Sequence, residues 1–133
     1  MSNAASDFLE NKVLDHVLRY STAPYTAPST LYVGLFTAST GLETNSPSAE
    51  VSGNGYARKT VTFAAAASGS SASNATVTFD AATGTWGTIS HVAIMDSLTT
   101  GNVLFWGAVT TSKTIESGDT FQISSGNLTI SLS

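Results

Sequence analysis

Hydrophobic positions along the chain follow two different periods. In SDFLENKVLDHVLR (6–19), Leu9, Val13, Leu14, Val17 and Leu18 cover one half of a helical wheel. Lys12, Asp15, His16 and Arg19 cover the other half. The pattern predicts an N-terminal amphipathic helix over 6–20, with Ser6 as its N-cap and Asp7 and Glu10 near the positive end of the dipole. Asp15 and Arg19 form an i,i+4 pair on it. The stretch STAPYTAPS (21–29) holds two Ala-Pro steps, which disfavour helix and predict an extended strap.

From Thr30 onward the period falls to two. TLYVGLFT (30–37) puts Leu31, Val33 and Leu35 on one face and Tyr32 and Phe36 on the other. YARKTVTF (56–63), ATVTF (75–79), TISHVAIM (88–95), VLFWGAVT (103–110), DTFQIS (119–124) and NLTISL (127–132) read as further strands, and KTIE (113–116) as a short extra one. Gly53-Asn54-Gly55, Thr100-Gly101-Asn102, Ser117-Gly118-Asp119 and Ser125-Gly126-Asn127 supply turns between them. The fold class expected is all-β: an antiparallel β-sandwich or barrel-like domain of about seven or eight short strands with one N-terminal helix. Residues 1–133 read as a single domain, with the β body over 30–133. HVAIM and LFWGAV are apolar on both faces and belong centrally. Residues 38–55 and the Ala/Ser-rich 64–74 lack periodicity. They read either as flexible surface loops or as loops that order against a neighbouring subunit.

Composition narrows the class. Only 11% of residues are charged, whereas Ser and Thr number 20 each. A hydroxyl-rich, weakly charged surface suits a protein packed against others better than a free one. A net charge of −4 with five Lys+Arg argues against a nucleic-acid partner. No apolar run approaches the ~20 residues that span a bilayer, so no membrane partner is expected. No basic stretch leading into an apolar one marks a secretory leader at the N-terminus. The absence of cysteine removes disulfides and thiolate sites.

Constellations that carry chemistry are missing. His16 falls on the polar helix face and reads as solvated. His91 shares the strand parity of Ile89, Ala93 and Met95 and reads as a hydrogen-bonded core or interface residue. Neither has metal-ligand spacing. Asp80, Asp96 and Asp119 sit at strand ends, where Asp caps its own backbone. Gly69-Ser70-Ser71-Ala72-Ser73 lacks the closing glycine of a nucleophile elbow, and alternation sends Arg58 and Lys59 to opposite faces. The expectation is a non-enzyme with no catalytic residue, no metal and no cofactor.

Most aromatics lie in or beside strands and read as core. Tyr20, Tyr25 and Tyr56 fall in the strap and a loop, where exposed rings either stack on sugars or anchor a protein interface. Together with Leu14 and Leu18 they form the expected protein-interface set.

The segments MSNAASDFLENKVLDHVL, TAPSTLYVGLFTA, VSGNGYARKTVTF, TWGTISHVAIMD and LFWGAVTTSKTIESGDTFQI, in that order, resemble a family of small tailed-bacteriophage virion proteins. Its members carry tail-fibre-like or structural labels. The resemblance runs over essentially the whole chain and implies a virion structural protein without catalytic residues. Size, low charge and the strap favour a capsid cement (decoration) protein on the outer shell, bound to the major capsid protein across capsomer boundaries and assembled as a homodimer or homotrimer. The second expectation is a tail-fibre, tail-tip or baseplate module that contacts the host surface.

Overall fold

The computed structural model describes residues 4–132. The elements are β1 (Ala4–Ala5), α1 (Asp7–Leu18), β2 (Leu31–Phe36), β3 (Lys59–Val61), β4 (Ser70–Ala72), β5 (Val77–Thr78), β6 (Gly87–Met95), β7 (Val103–Ile115), β8 (Gln122–Ile123) and β9 (Thr129–Ser131). Five strands form the main sheet in the order β1-β7-β6-β2-β3, and two small sheets pair β4 with β9 and β5 with β8. Every pairing is antiparallel. The fold is all-β and sandwich-like with one N-terminal helix, as the periodicity implies.

The main sheet is buried on both faces, for two different reasons. On one face Val33, Leu35, Ile89, Val92 and Ile94 meet Val77, Phe79, Phe121, Leu128 and Ile130 from the region of the small sheets. On the other, Phe36, Ala93, Met95 and Val103 close around Leu42, with Tyr32 and Trp106 at the margin. β2 therefore alternates as its sequence requires. Residues 38–55 are not a loose loop: Leu42 is fully buried and Val51 nearly so. Asn45 Oδ1 accepts the Val103 N–H at 2.7 Å, and Val51 N–H donates to Leu35 O at 3.0 Å. Gly41 is required in this segment, because its φ is +78° and a Cβ there would lie 1.9 Å from Ser46 O.

Three sequence expectations change. KTIE is not a separate strand; it continues β7, which runs unbroken to Ile115. The register of β6 shifts between Ile89, opposite Lys113, and His91, opposite Ala108. This bulge reverses the parity of the strand. Ile89 joins the first cluster while Ala93 and Met95 join the second, so His91 does not share a face with Ile89. The Ala/Ser segment 64–74 contains a strand, β4, reached through a tight turn with Ser68 and Gly69 both at positive φ. With β1 and the two-residue β5 and β8 included, the described residues hold nine strands.

Candidate docking face

The helix begins where the sequence marks it. Ser6 is extended, accepts the Leu9 N–H at 3.3 Å on its side chain, and donates its hydroxyl to Val103 O. β1 pairs Ala4 with Trp106 and Ala5 with Phe105, Ser6 N–H donates to Leu104 O at 2.9 Å, and Asp7 N–H donates to Glu43 O at 2.8 Å. The N-terminal end of α1 is thus tied to the edge of β7, and Leu9 is its one buried residue. Beyond Leu9 the apolar half is open. Exposure rises along it from 39% at Val13 and 56% at Leu14 to 70% at Val17 and 74% at Leu18. Soluble surfaces rarely leave so many apolar side chains contiguous without a partner.

Beside this ridge runs a trough. A cavity of about 500 Å³ lies between α1 and β7, walled by Leu9, Val13, Leu14, Phe105 and Leu132. A second, of about 310 Å³, opens between the main sheet and β4–β9 against Leu31, Phe63, Leu104, Phe105, Ile130 and Leu132. Phe105 and Leu132 line both, so the two adjoin. Glu10, at the rim, is the trough's single charged wall residue.

Three of the five expected interface residues belong with α1 and are exposed: Leu14, Leu18 and, just beyond the helix, Tyr20 at 63%. Tyr20 meets His16 edge-on with ring centroids 5.0 Å apart. Tyr25 is half-buried, because the strap folds back along the helix. Its N–H donates to His16 Nδ1 at 3.0 Å, and its ring meets Phe8 edge-on at 6.4 Å. His16 is therefore an acceptor that holds the strap, not a freely solvated residue. Burial, then the negative charge of Asp96, raises the Tyr25 hydroxyl pKa above its ordinary value.

Tyr56 corrects the sequence reading outright. It is no exposed loop tyrosine: its ring stacks on Phe79 at 6.1 Å and meets Trp86 edge-on at 5.5 Å. Its hydroxyl donates to Glu50 Oε2 at 2.7 Å and accepts the Leu35 N–H at 2.9 Å. Arg58 completes the group. It grips Glu50 through two bonds of 2.8 and 2.7 Å and donates to Ser97 O and Thr100 O, each at 2.7 Å. Burial and then the Glu50 charge and hydrogen bond push the Tyr56 hydroxyl pKa far up. Burial on its own would lower Arg58, but the hydrogen bond and charge of Glu50, with the charges of Tyr56 and Asp96, together outweigh it and the net shift is upward. Both groups hold one protonation state through the neutral range. They form a clamp between chain segments.

Several further carboxylates also have structural roles. Asp96 accepts from Asn102 N–H and Asp119 from Glu116 N–H, as strand-end caps should. Asp80 instead pairs with Lys59 at 3.1 Å. The carboxylates of Asp7, Glu10 and Glu43 converge at the start of α1, where the exposed peptide N–H groups favour negative charge. Glu43 also accepts the Trp106 indole N–H at 2.9 Å. Among the described residues, no buried side-chain polar atom lacks a partner. No helix among them is long and apolar enough to cross a membrane.

The face members that sequence reasoning missed are Phe105 and Leu132. Phe105 sits in a strand apolar on both faces, which concealed that one side chain opens outward. Leu132 continues the Leu128–Ile130 alternation past the end of β9, so its pattern reads as core although it is 60% exposed.

The chain is thus an all-β scaffold with a polar clamp and an open apolar face. Residues 4–131 match the family described as Podophage GP4 fiber I protein gp80, and the chain belongs to that family. It is a phage virion structural protein. A search of curated proteins finds no match.

Proposed function

We propose that this chain is a non-enzymatic, fibre-type component of the phage tail that contributes to host-surface binding. The observation that carries the reading is the family match, which spans all but a few residues and names a fibre protein. The shell-cementing role expected from size and low charge has no comparable support. The polar groups support the non-enzymatic part of the reading. Arg58, Glu50 and Tyr56 saturate one another, and the histidines lie on separate elements, α1 and β6. The exposed ridge on α1 suits a chain whose work is holding other surfaces.

Quantitative mass spectrometry of purified particles, joined to immunogold labelling, tests this. A fibre-type component is present at a few copies per hundred of the major capsid protein, its label clusters at the tail, and antibodies against it block adsorption. A ratio near one with label spread over the shell overturns the tail reading in favour of cement.

A further inference from the structure

The ridge and the trough lie side by side on one face. A surface with a knob next to a matching hole is complementary to itself: a two-fold rotation seats each knob in the other copy's hole in one step. We propose that the occupant of this face is a second copy of the chain, with Val17 and Leu18 of each protomer seated in the other's trough, against its wall residue Leu14.

Three features support a second copy as the occupant. The first is size. The exposed parts of Val13, Leu14, Val17, Leu18 and Leu132 leave on the order of 500 Å² of apolar surface, at the upper end of what monomers expose. The half-buried Leu31, Phe63 and Phe105 of the trough extend this area, against the ~800 Å² of a standard interface side. The second is charge. Two α1 helices related by a two-fold axis across the ridge run antiparallel. The acidic first turn of one, with Asp7 and Glu10, then lies toward the C-terminal end of the other, and the helix dipoles oppose favourably. The third is the trough's near-neutral lining. It lets two chains of net charge −4 approach here without placing like charges in contact.

The inference deepens the proposed structural role but is read on the isolated chain. Particle labelling and solution assembly can therefore fail independently. Sedimentation velocity on the full chain, from low micromolar to hundreds of micromolar, is the test. The expected species has twice the 13.7 kDa chain mass. The double variant Leu14→Asp/Leu18→Asp sediments as a single chain at every concentration. Both side chains are more than half exposed, so its circular dichroism stays that of the parent, and its melting differs only by the loss of dimer stabilisation. Leu98→Asp alters another exposed apolar residue, 51% accessible and outside the face, and leaves the dimer intact. Because the chain has no cysteine, mixing Leu18→Cys with Leu132→Cys chains reads the contact directly. The mixture forms disulfide-linked pairs faster than either variant alone. A parent that stays monomeric, a trimer, or a dimer that survives the double substitution each overturns the proposal.

Discussion

Arg58 makes four hydrogen bonds, two to one carboxylate and two to the carbonyls of residues Ser97 and Thr100. It joins the segment after β2 to the β6–β7 turn. Its side chain is only 5% exposed and that of Glu50 23%, so removing it strands a largely desolvated carboxylate. Arg58→Ala should lower unfolding free energy by about 3 kcal/mol, seen as an earlier urea midpoint at unchanged slope. Tyr56→Phe keeps the ring stacking but leaves the Leu35 N–H without its acceptor, a loss of about 1–2 kcal/mol. It also carries a pH signature. The Tyr56 pKa is raised in the folded state, so its contribution is complete below about pH 10 and is lost as pH rises above that. The parent's alkaline stability limb should therefore be steeper than the variant's by one proton, about 1.4 kcal/mol per pH unit. Equilibrium unfolding at stepped alkaline pH measures the difference. Alternation showed that Arg58 and Lys59 part to opposite faces. That Arg58 points inward to a carboxylate was not legible, because Glu50 lies in a stretch without periodicity. The same blindness made Tyr56 look exposed.

α1 is a helix attached at one end. Ser6 and Leu9 bind it to β7, and everything after Leu9 on the apolar side is open. Two substitutions should therefore act locally. Ser6→Ala removes both the cap and the bond to Val103 O, and Leu9→Ala empties the one buried contact, at costs of about 1–2 and about 2–4 kcal/mol of helix attachment. Hydrogen exchange should show lost protection over α1 while protection in β6 and β7 holds, because local opening does not require the sheet to open. Simultaneous loss in helix and sheet would mean that α1 is integral to the cooperative unit. The start of this element was fully legible, down to the cap, since capping depends on a few adjacent residues. Which of its apolar residues would be covered was not, because that depends on how far β7 extends beneath it. The strands divide in the same way. β2 and β6 carry enough apolar residues to declare themselves, but the Ser90 bulge that reverses β6 leaves no mark in the sequence. β4, made of Ser and Ala, forms because β9 offers it backbone partners; intrinsic preference would not have chosen it.

At the scale of the whole molecule, the charge count bears on how it assembles. With 11% charged residues and one carboxylate at the rim of the ridge–trough face, there is little for salt to screen. A contact built on ion pairs loses affinity steeply as salt rises. A contact built on Leu14, Val17, Leu18, Phe105 and Leu132 should not. Self-association measured by sedimentation should change less than about threefold between low and high sodium chloride, and calorimetric dilution should give a negative heat-capacity change on association. Sodium sulfate, which strengthens apolar burial by exclusion from protein surfaces, should tighten the dimer where sodium chloride does little. A steep fall in affinity with chloride would place the contact on the charged side of α1, at Lys12, Asp15 and Arg19, and not on the ridge. The result bears on the proposed tail role as well. An apolar, salt-tolerant contact survives the ionic changes a particle meets outside its host, and it leaves the hydroxyl-rich remainder of the surface free to face other partners.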